Sequence, residues 1–169
     1  MKEIVYSFYN NLGDKFFLRL VCEGDMFLSD ELVSFLNKKD FELWGIYLDR
    51  LGNAQKVTPL KLLNKISQLI ASFFIGHPNA ILFYQCDDIS DVPMSLRKKE
   101  DNLTVQAYRN RLFTKLFDKM ALQLNVSVID TPIYIDACGN NVYIHIISRD
   151  IHSAIVDKIS KDIHLGFDK

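Results

Sequence analysis

Pro59-Leu-Lys-Leu-Leu-Asn-Lys-Ile-Ser-Gln-Leu-Ile-Ala-Ser-Phe-Phe-Ile-Gly76, then His77-Pro-Asn79, then Ala80-Ile-Leu-Phe-Tyr-Gln-Cys86, is the stretch on which the fold class turns. In its first part Leu62, Leu63, Ile66, Leu69, Ile70, Phe73 and Phe74 recur three and four apart, the spacing that puts one broad apolar stripe on an α-helix. Thr58 can cap the free amides, Pro59 suits the first helical position, and Gly76 can end the helix. The second part is short, apolar and bounded by Pro78-Asn79 and Asp87-Asp88, as expected of a buried strand. A helix leading into a buried strand calls for a sheet with helices packed on it.

Working outward, Phe41 to Arg50 carries apolar residues on both faces (Phe41, Leu43, Tyr47; Trp44, Ile46, Leu48), the pattern of a central strand covered on both sides. Glu3 to Tyr9 and Lys15 to Cys22 alternate with period two, and Asn10 to Asp14 joins them as a turn, which predicts a hairpin. Ser29 to Lys39 has Leu32, Val33, Phe35 and Leu36 at helical spacing and reads as a short helix, with an extended segment as the alternative at this length. Downstream, a polar segment from Asp87 to Asn102 precedes a second long helix at about 103–124, with Tyr108, Leu112, Phe113, Leu116, Phe117, Met120 and Leu124 on one side. Val126 to Ala137 and Val142 to Arg149 are predicted as a hairpin turning at Gly139-Asn140, and Asp150 to Ile163 as a final helix. The fold expected is α+β: one domain over residues 1–169, a mixed or largely antiparallel sheet, and two long helices packed on it.

The 169 residues carry 20 Lys+Arg against 21 Asp+Glu. That balance disfavours a dedicated nucleic-acid binder or a polybasic membrane anchor. A local excess exists at residues 97–119, seven basic against three acidic, but such a stretch usually marks a solvated helix face. Cys22, Cys86 and Cys138 are odd in number and far apart, which suits a reducing cytoplasm. The first eleven residues read as a strand and lack the apolar core of a signal peptide, and no apolar run is long enough to cross a bilayer.

The seven glycines, at 13, 24, 45, 52, 76, 139 and 166, are too dispersed to form a phosphate-cradling loop, and no hydrolase, kinase or metalloprotease motif occurs. No catalytic residue, metal ligand or cofactor is therefore assigned. Two constellations remain as ligand or partner candidates. In the first, Asp87 and Asp88 close a strand while Arg109 falls within the apolar arc of the next helix and Arg111 on its opposite side. A buried guanidinium needs an offsetting anion, so an internal Arg109 ion pair is the plain reading and an anion site the sharper one. The second is the hairpin face of Tyr134, Asp136, Tyr143 and His145, opposite Ile133, Ile135, Val142, Ile144 and Ile146. With the turn at Gly139-Asn140, Tyr134 would pair with His145 and Asp136 with Tyr143, forming an exposed polar and aromatic strip suited to a partner or, less readily, to acid–base work.

The run Ala71 to Asp87, with its Phe73-Phe74 helix end and Cys86-Asp87 strand end, together with Arg109-Asn-Arg-Leu-Phe113, resembles an uncharacterised bacterial family of unknown function found chiefly in Bacteroidota. The resemblance implies the fold and a bacterial cytosol, and no activity. The Asp88 to Gln106 connection is longer than that pattern, and Arg149-Asp-Ile-His152 lacks its Asn-Pro. The order helix, strand, helix, antiparallel hairpin is also similar to the C-terminal half of acyl-CoA N-acetyltransferases. There a glycine-rich loop ahead of the first helix holds the cofactor pyrophosphate; Arg50 to Thr58 has only Gly52. The function expected is non-enzymatic binding of a protein or small molecule, with a divergent acyl-CoA-dependent transferase as the alternative.

Overall fold

The computed structural model describes residues 2–10, 13–23, 28–51, 60–86, 107, 111, 114, 115, 117–119, 122, 127–137 and 140–167. Alternating apolar residues make β1 (Lys2–Tyr9) and β2 (Lys15–Cys22) an antiparallel hairpin. Its turn is held by side chains: Asn10 Nδ2 donates to Asp14 Oδ2 at 2.7 Å and the Asp14 amide donates to Asn10 Oδ1 at 2.9 Å. Gly13, at φ +84°, takes the left-handed position that a residue with a Cβ resists.

Helix α1 (Asp30–Lys38) starts at Ser29, whose Oγ accepts from the Leu32 amide. It ends in a left-handed turn at Asp40, φ +56°, where the Phe41 and Asp40 amides donate to the Leu36 and Asn37 carbonyls, the bonding of a Schellman motif. Strand β3 (Glu42–Leu51) pairs antiparallel with β2. Helix α2 (Leu60–Gly76) then crosses to β4 (Ala80–Cys86), which runs parallel to β3. Hairpin β5 (Val128–Ala137) and β6 (Asn140–Arg149) adds β6 to β4 and leaves β5 at the edge. A 3₁₀ turn at Asp150–His152 leads into α3 (Ser153–Phe167).

The sheet order is β1-β2-β3-β4-β6-β5, mixed through the single parallel pair. One face carries α2 and the helical residue Phe117, burying Phe16, Leu18, Leu20, Trp44, Ile70, Phe74 and Leu82. The other carries α1 and α3 over Ile81, Phe83, Ile133, Ile135, Ile144 and Ile146. Each such side chain contributes about 1.5–3 kcal/mol on burial. Ties between elements reinforce the apolar packing. Ser29 donates from its amide and hydroxyl to Asp162 of α3, both at 2.7 Å, and Arg149 of β6 donates to the Phe74 carbonyl in the last turn of α2.

The α+β class, both hairpins, the short helix, the helix before β4 and the terminal helix agree with the sequence. Within the second long helix expected at 103–124, the described residues, among them Arg111, Thr114 and Phe117, are helical. The central strand needs one correction. Leu43 and Trp44 are buried on opposite faces, but Leu48 and Leu51 are exposed, beyond the four residues over which β3 pairs with β4. The second correction is register. Ala137 pairs with Asn140, Asp136 with Asn141 and Tyr134 with Tyr143, so Tyr134 does not pair with His145 nor Asp136 with Tyr143.

Candidate functional site

Along the outer hairpin, one face runs from the turn inward as Asp136, Tyr134 with Tyr143, Pro132 with His145, and Asp130 with Ile147. All four residues expected to share a face do share it, as period-two alternation requires. They do not share an environment. Asp136 and Tyr134 are exposed, with Tyr134 49% accessible, Tyr143 is half-buried, and His145 is 0% accessible. The exposed strip thus ends before His145, which lies under the helical residues on that face. Tyr134 and Tyr143 tilt together with ring centroids 5.2 Å apart. The Tyr134 phenol is raised above its ordinary range, by desolvation first and then by Asp136 and Tyr143.

His145 is the centre of a polar cluster inside the core. Its Nδ1 lies 2.8 and 3.0 Å from the two carboxylate oxygens of Asp130, whose side chain is 3% accessible. Thr114 Oγ1, from the helical residues above, donates to Asp130 Oδ2 at 3.1 Å. An ionised carboxylate can only accept, so Nδ1 carries the hydrogen in this contact. The imidazole lies flat on the Tyr84 ring, with centroids 4.5 Å and planes 8° apart, and Phe117 stacks in turn against Tyr84 at 6.1 Å. Nε2 is buried and has no hydrogen-bond partner among the described residues. Leaving such a group unmade costs about 1–3 kcal/mol.

The cluster sits beside the end of the β3–β4 ladder. β3 and β4 pair only from Glu42↔Ala80 to Gly45↔Phe83, yet β3 runs on to Leu51 and β4 to Cys86. Past the last pair the two strands part at their carboxyl ends. Tyr84 is the first β4 residue beyond that point, and His145 is its partner on β6. Gly45, at the last pair, has the Tyr47 ring lying over it: a Cβ there would stand 2.7 Å from Tyr47 Cε2. Tyr47 is held in place by donating to Glu23 at 2.7 Å, and burial, then Glu23, pushes its phenol up to about 12.

At the opposite end of the same strands, a hollow of about 430 Å³ is bordered by Asp40, Glu42 and His77. Two of its polar side chains, Glu42 and His77, are engaged with the elements beside it. Glu42 accepts from Lys2 and from Trp44 Nε1, and Lys2 chiefly holds its carboxyl below the ordinary range. His77 stacks on Phe73 at 4.1 Å with Nδ1 3.0 Å from the Phe73 carbonyl. The parting and the cluster next to it are the better candidate.

Of the first sequence constellation, Asp87, Asp88 and Arg109 lie outside the described residues. Arg111 is helical and exposed, as its place opposite the apolar arc requires. Asp130 and Thr114 belong to neither sequence constellation. The signal for Asp130 is a lone acid inside a strand at even spacing from Tyr134, and the register needed to pair it diagonally with His145 is two residues away from the expected one. Among the described residues no three His, Cys, Asp or Glu side chains gather as a metal site, and no helix is long and apolar enough to cross a membrane. Compared with protein-family models, curated proteins and solved structures, the chain gives no match.

Proposed function

We propose that the chain is a non-enzymatic binding domain that receives an extended, amide-bearing ligand where β3 and β4 part. The observation that carries this is the four-pair parallel ladder followed by two diverging strand ends. Ligands of open α/β sheets favour the crevice beyond the carboxyl ends of parallel strands, and an extended chain can pair with strand edges there. A pantetheine arm and a peptide segment both offer that chemistry. Because Arg50 to Thr58 contains only one glycine, a diphosphate adds little to binding. The three scattered cysteines, with Cys22 a free thiol, support work in a reducing compartment such as a bacterial cytoplasm.

Calorimetry with pantetheine, coenzyme A and an end-blocked tetrapeptide tests the reading. Pantetheine or the peptide is expected to bind, with coenzyme A no tighter than pantetheine. Failure of all three removes the reading. A coenzyme A affinity tenfold or more above that of pantetheine, near a micromolar dissociation constant (about -8 kcal/mol), puts the alternative in its place. That alternative is an acyl-CoA-dependent transferase, and the Asp130–His145 pair favours it, since an imidazole oriented by a carboxylate is what proton removal from an attacking amine uses. Release of free thiol from acetyl-CoA in the presence of amines measures it directly.

A further inference from the structure

The two edges of the sheet are built differently. β5 carries features that keep an edge strand from pairing further: Pro132 within it, the inward carboxylate of Asp130, and a second acid, Asp136. β1 carries none of them. It pairs with β2 without interruption from Lys2↔Cys22 to Tyr9↔Lys15, has no proline, and takes no partner on its outer side among the described residues. Its two charges lie at one end, and both turn inward over the sheet, Lys2 to Glu42 of β3 and Glu3 to Arg19 of β2 at 3.7 Å. Apart from Ser7, the rest of the strand is apolar on both faces, with Ile4, Tyr6 and Phe8 on one and Val5 and Tyr9 on the other. Val5 is 50% and Tyr9 66% accessible, and Ile4 and Tyr6 are only partly buried against the core. That is the composition of an interior strand rather than of a guarded edge.

We propose that β1 pairs antiparallel with β1 of a second copy of this chain, joining the two sheets into one across a two-fold axis. An axis perpendicular to the sheet keeps each face continuous, so residues of like parity stand opposite one another. Centred on Tyr6, the pair sets Tyr6 against the partner's Tyr6, Ile4 against the partner's Phe8 and Val5 against the partner's Ser7. The half-buried Ile4 and Tyr6 thereby complete their cover with apolar cross-strand pairs. The same register sets Glu3 across from the partner's Tyr9. In each copy Lys15 Nζ lies over the Tyr9 ring, 5.8 Å from its centroid. Each copy's acid thus meets the other's cation at both ends of the seam, and no like charges stand opposite. A foreign peptide would gain the same main-chain hydrogen bonds without this reciprocal match, which makes a second copy the occupant. The parting of β3 and β4 plays no part in the pairing.

Sedimentation equilibrium of the full chain is expected to show a species of twice the 19.5 kDa chain mass that dissociates on dilution. In Val5→Lys two ammonium groups face each other diagonally across the seam, so the dimer dissociation constant is expected to rise about tenfold or more. Far-ultraviolet circular dichroism should be unchanged. Ile129→Lys, at an exposed position on the other edge, is expected to leave the dimer as it is. Hydrogen exchange of the wild type at high and low concentration decides the matter should Val5→Lys fail to fold: amides of β1 are expected to lose protection on dilution, and those of β5 to keep theirs. A chain that stays monomeric at the concentrations used for NMR overturns the proposal. So does a dimer that Val5→Lys leaves intact, one that Ile129→Lys dissociates, or one whose dilution leaves β1 exchange unmoved.

Discussion

Asp49 beside Arg19 and Asp130 beside His145 are built on one geometric plan: each carboxylate meets a nitrogen base diagonally across an antiparallel pair, two residues out of direct register. The Arg19 cluster lies on the uncovered half of the sheet. Arg19 Nε is 2.9 Å from Asp49, Nη1 is 3.7 Å from Glu3, and these side chains are 41–51% accessible. The His145 cluster lies on a covered half at 0% and 3%. The same pairing therefore has different energetic weight. In water, exchange with solvent reduces an ion pair to about 0–1 kcal/mol, whereas under a helix every unmade hydrogen bond keeps its full desolvation cost.

The largest expected effect separates the two directly. His145→Ala removes a buried ring and strands the Asp130 carboxylate, and should lower unfolding free energy by about 3 kcal/mol. Arg19→Ala should lower it by less than about 1 kcal/mol. Urea denaturation of both variants measures the pair, and equal losses would break the comparison. Next in size is Thr114→Val, which keeps the shape but deletes one hydrogen bond to Asp130; a loss of about 1 kcal/mol is expected by the same method. Salt sharpens the contrast further. Raising ionic strength from about 0.1 to 1 M shortens the screening length from about 10 to 3 Å, which should shrink the already small Arg19→Ala difference while leaving the His145→Ala difference intact.

The smallest effect is in pH. His152, buried and edge-on to Phe41 at 4.9 Å, has its imidazole held below the ordinary range, by burial first and then by Arg149. The unfolded chain then binds the proton more readily than the folded one. Stability from this group is full above the ordinary histidine value, near 6.5, and declines as pH falls from there toward the lower folded value. Melting temperatures from pH 8 down to about pH 5 should show a shallower decline in His152→Gln than in the wild type; parallel curves would remove His152 as the cause.

Local signals were enough for most elements. Alternation marked β1, β2, β5 and β6, and the three- and four-residue spacing marked α2, because these patterns record which side of each element meets water, whereas the short α1 segment was open between helix and strand. The same alternation placed Tyr134, Asp136, Tyr143 and His145 on one face. It was silent on register, since sliding the partners by two residues, so that Tyr134 meets Tyr143 and not His145, leaves every side chain on its original face.

What the sequence by itself determined, then, is the class of fold, the identity of its elements and the facing of their side chains, all consequences of short-range periodicity. Only the tertiary structure decided that His145 is buried and Tyr134 is not, that Asp130 and Thr114 complete its cluster, and that β3 and β4 part after four pairs. Those facts depend on which elements lie over which part of the sheet. Burial at a given position is set by neighbours distant in the chain, and a period-two pattern carries no record of how far along a strand the covering helix extends.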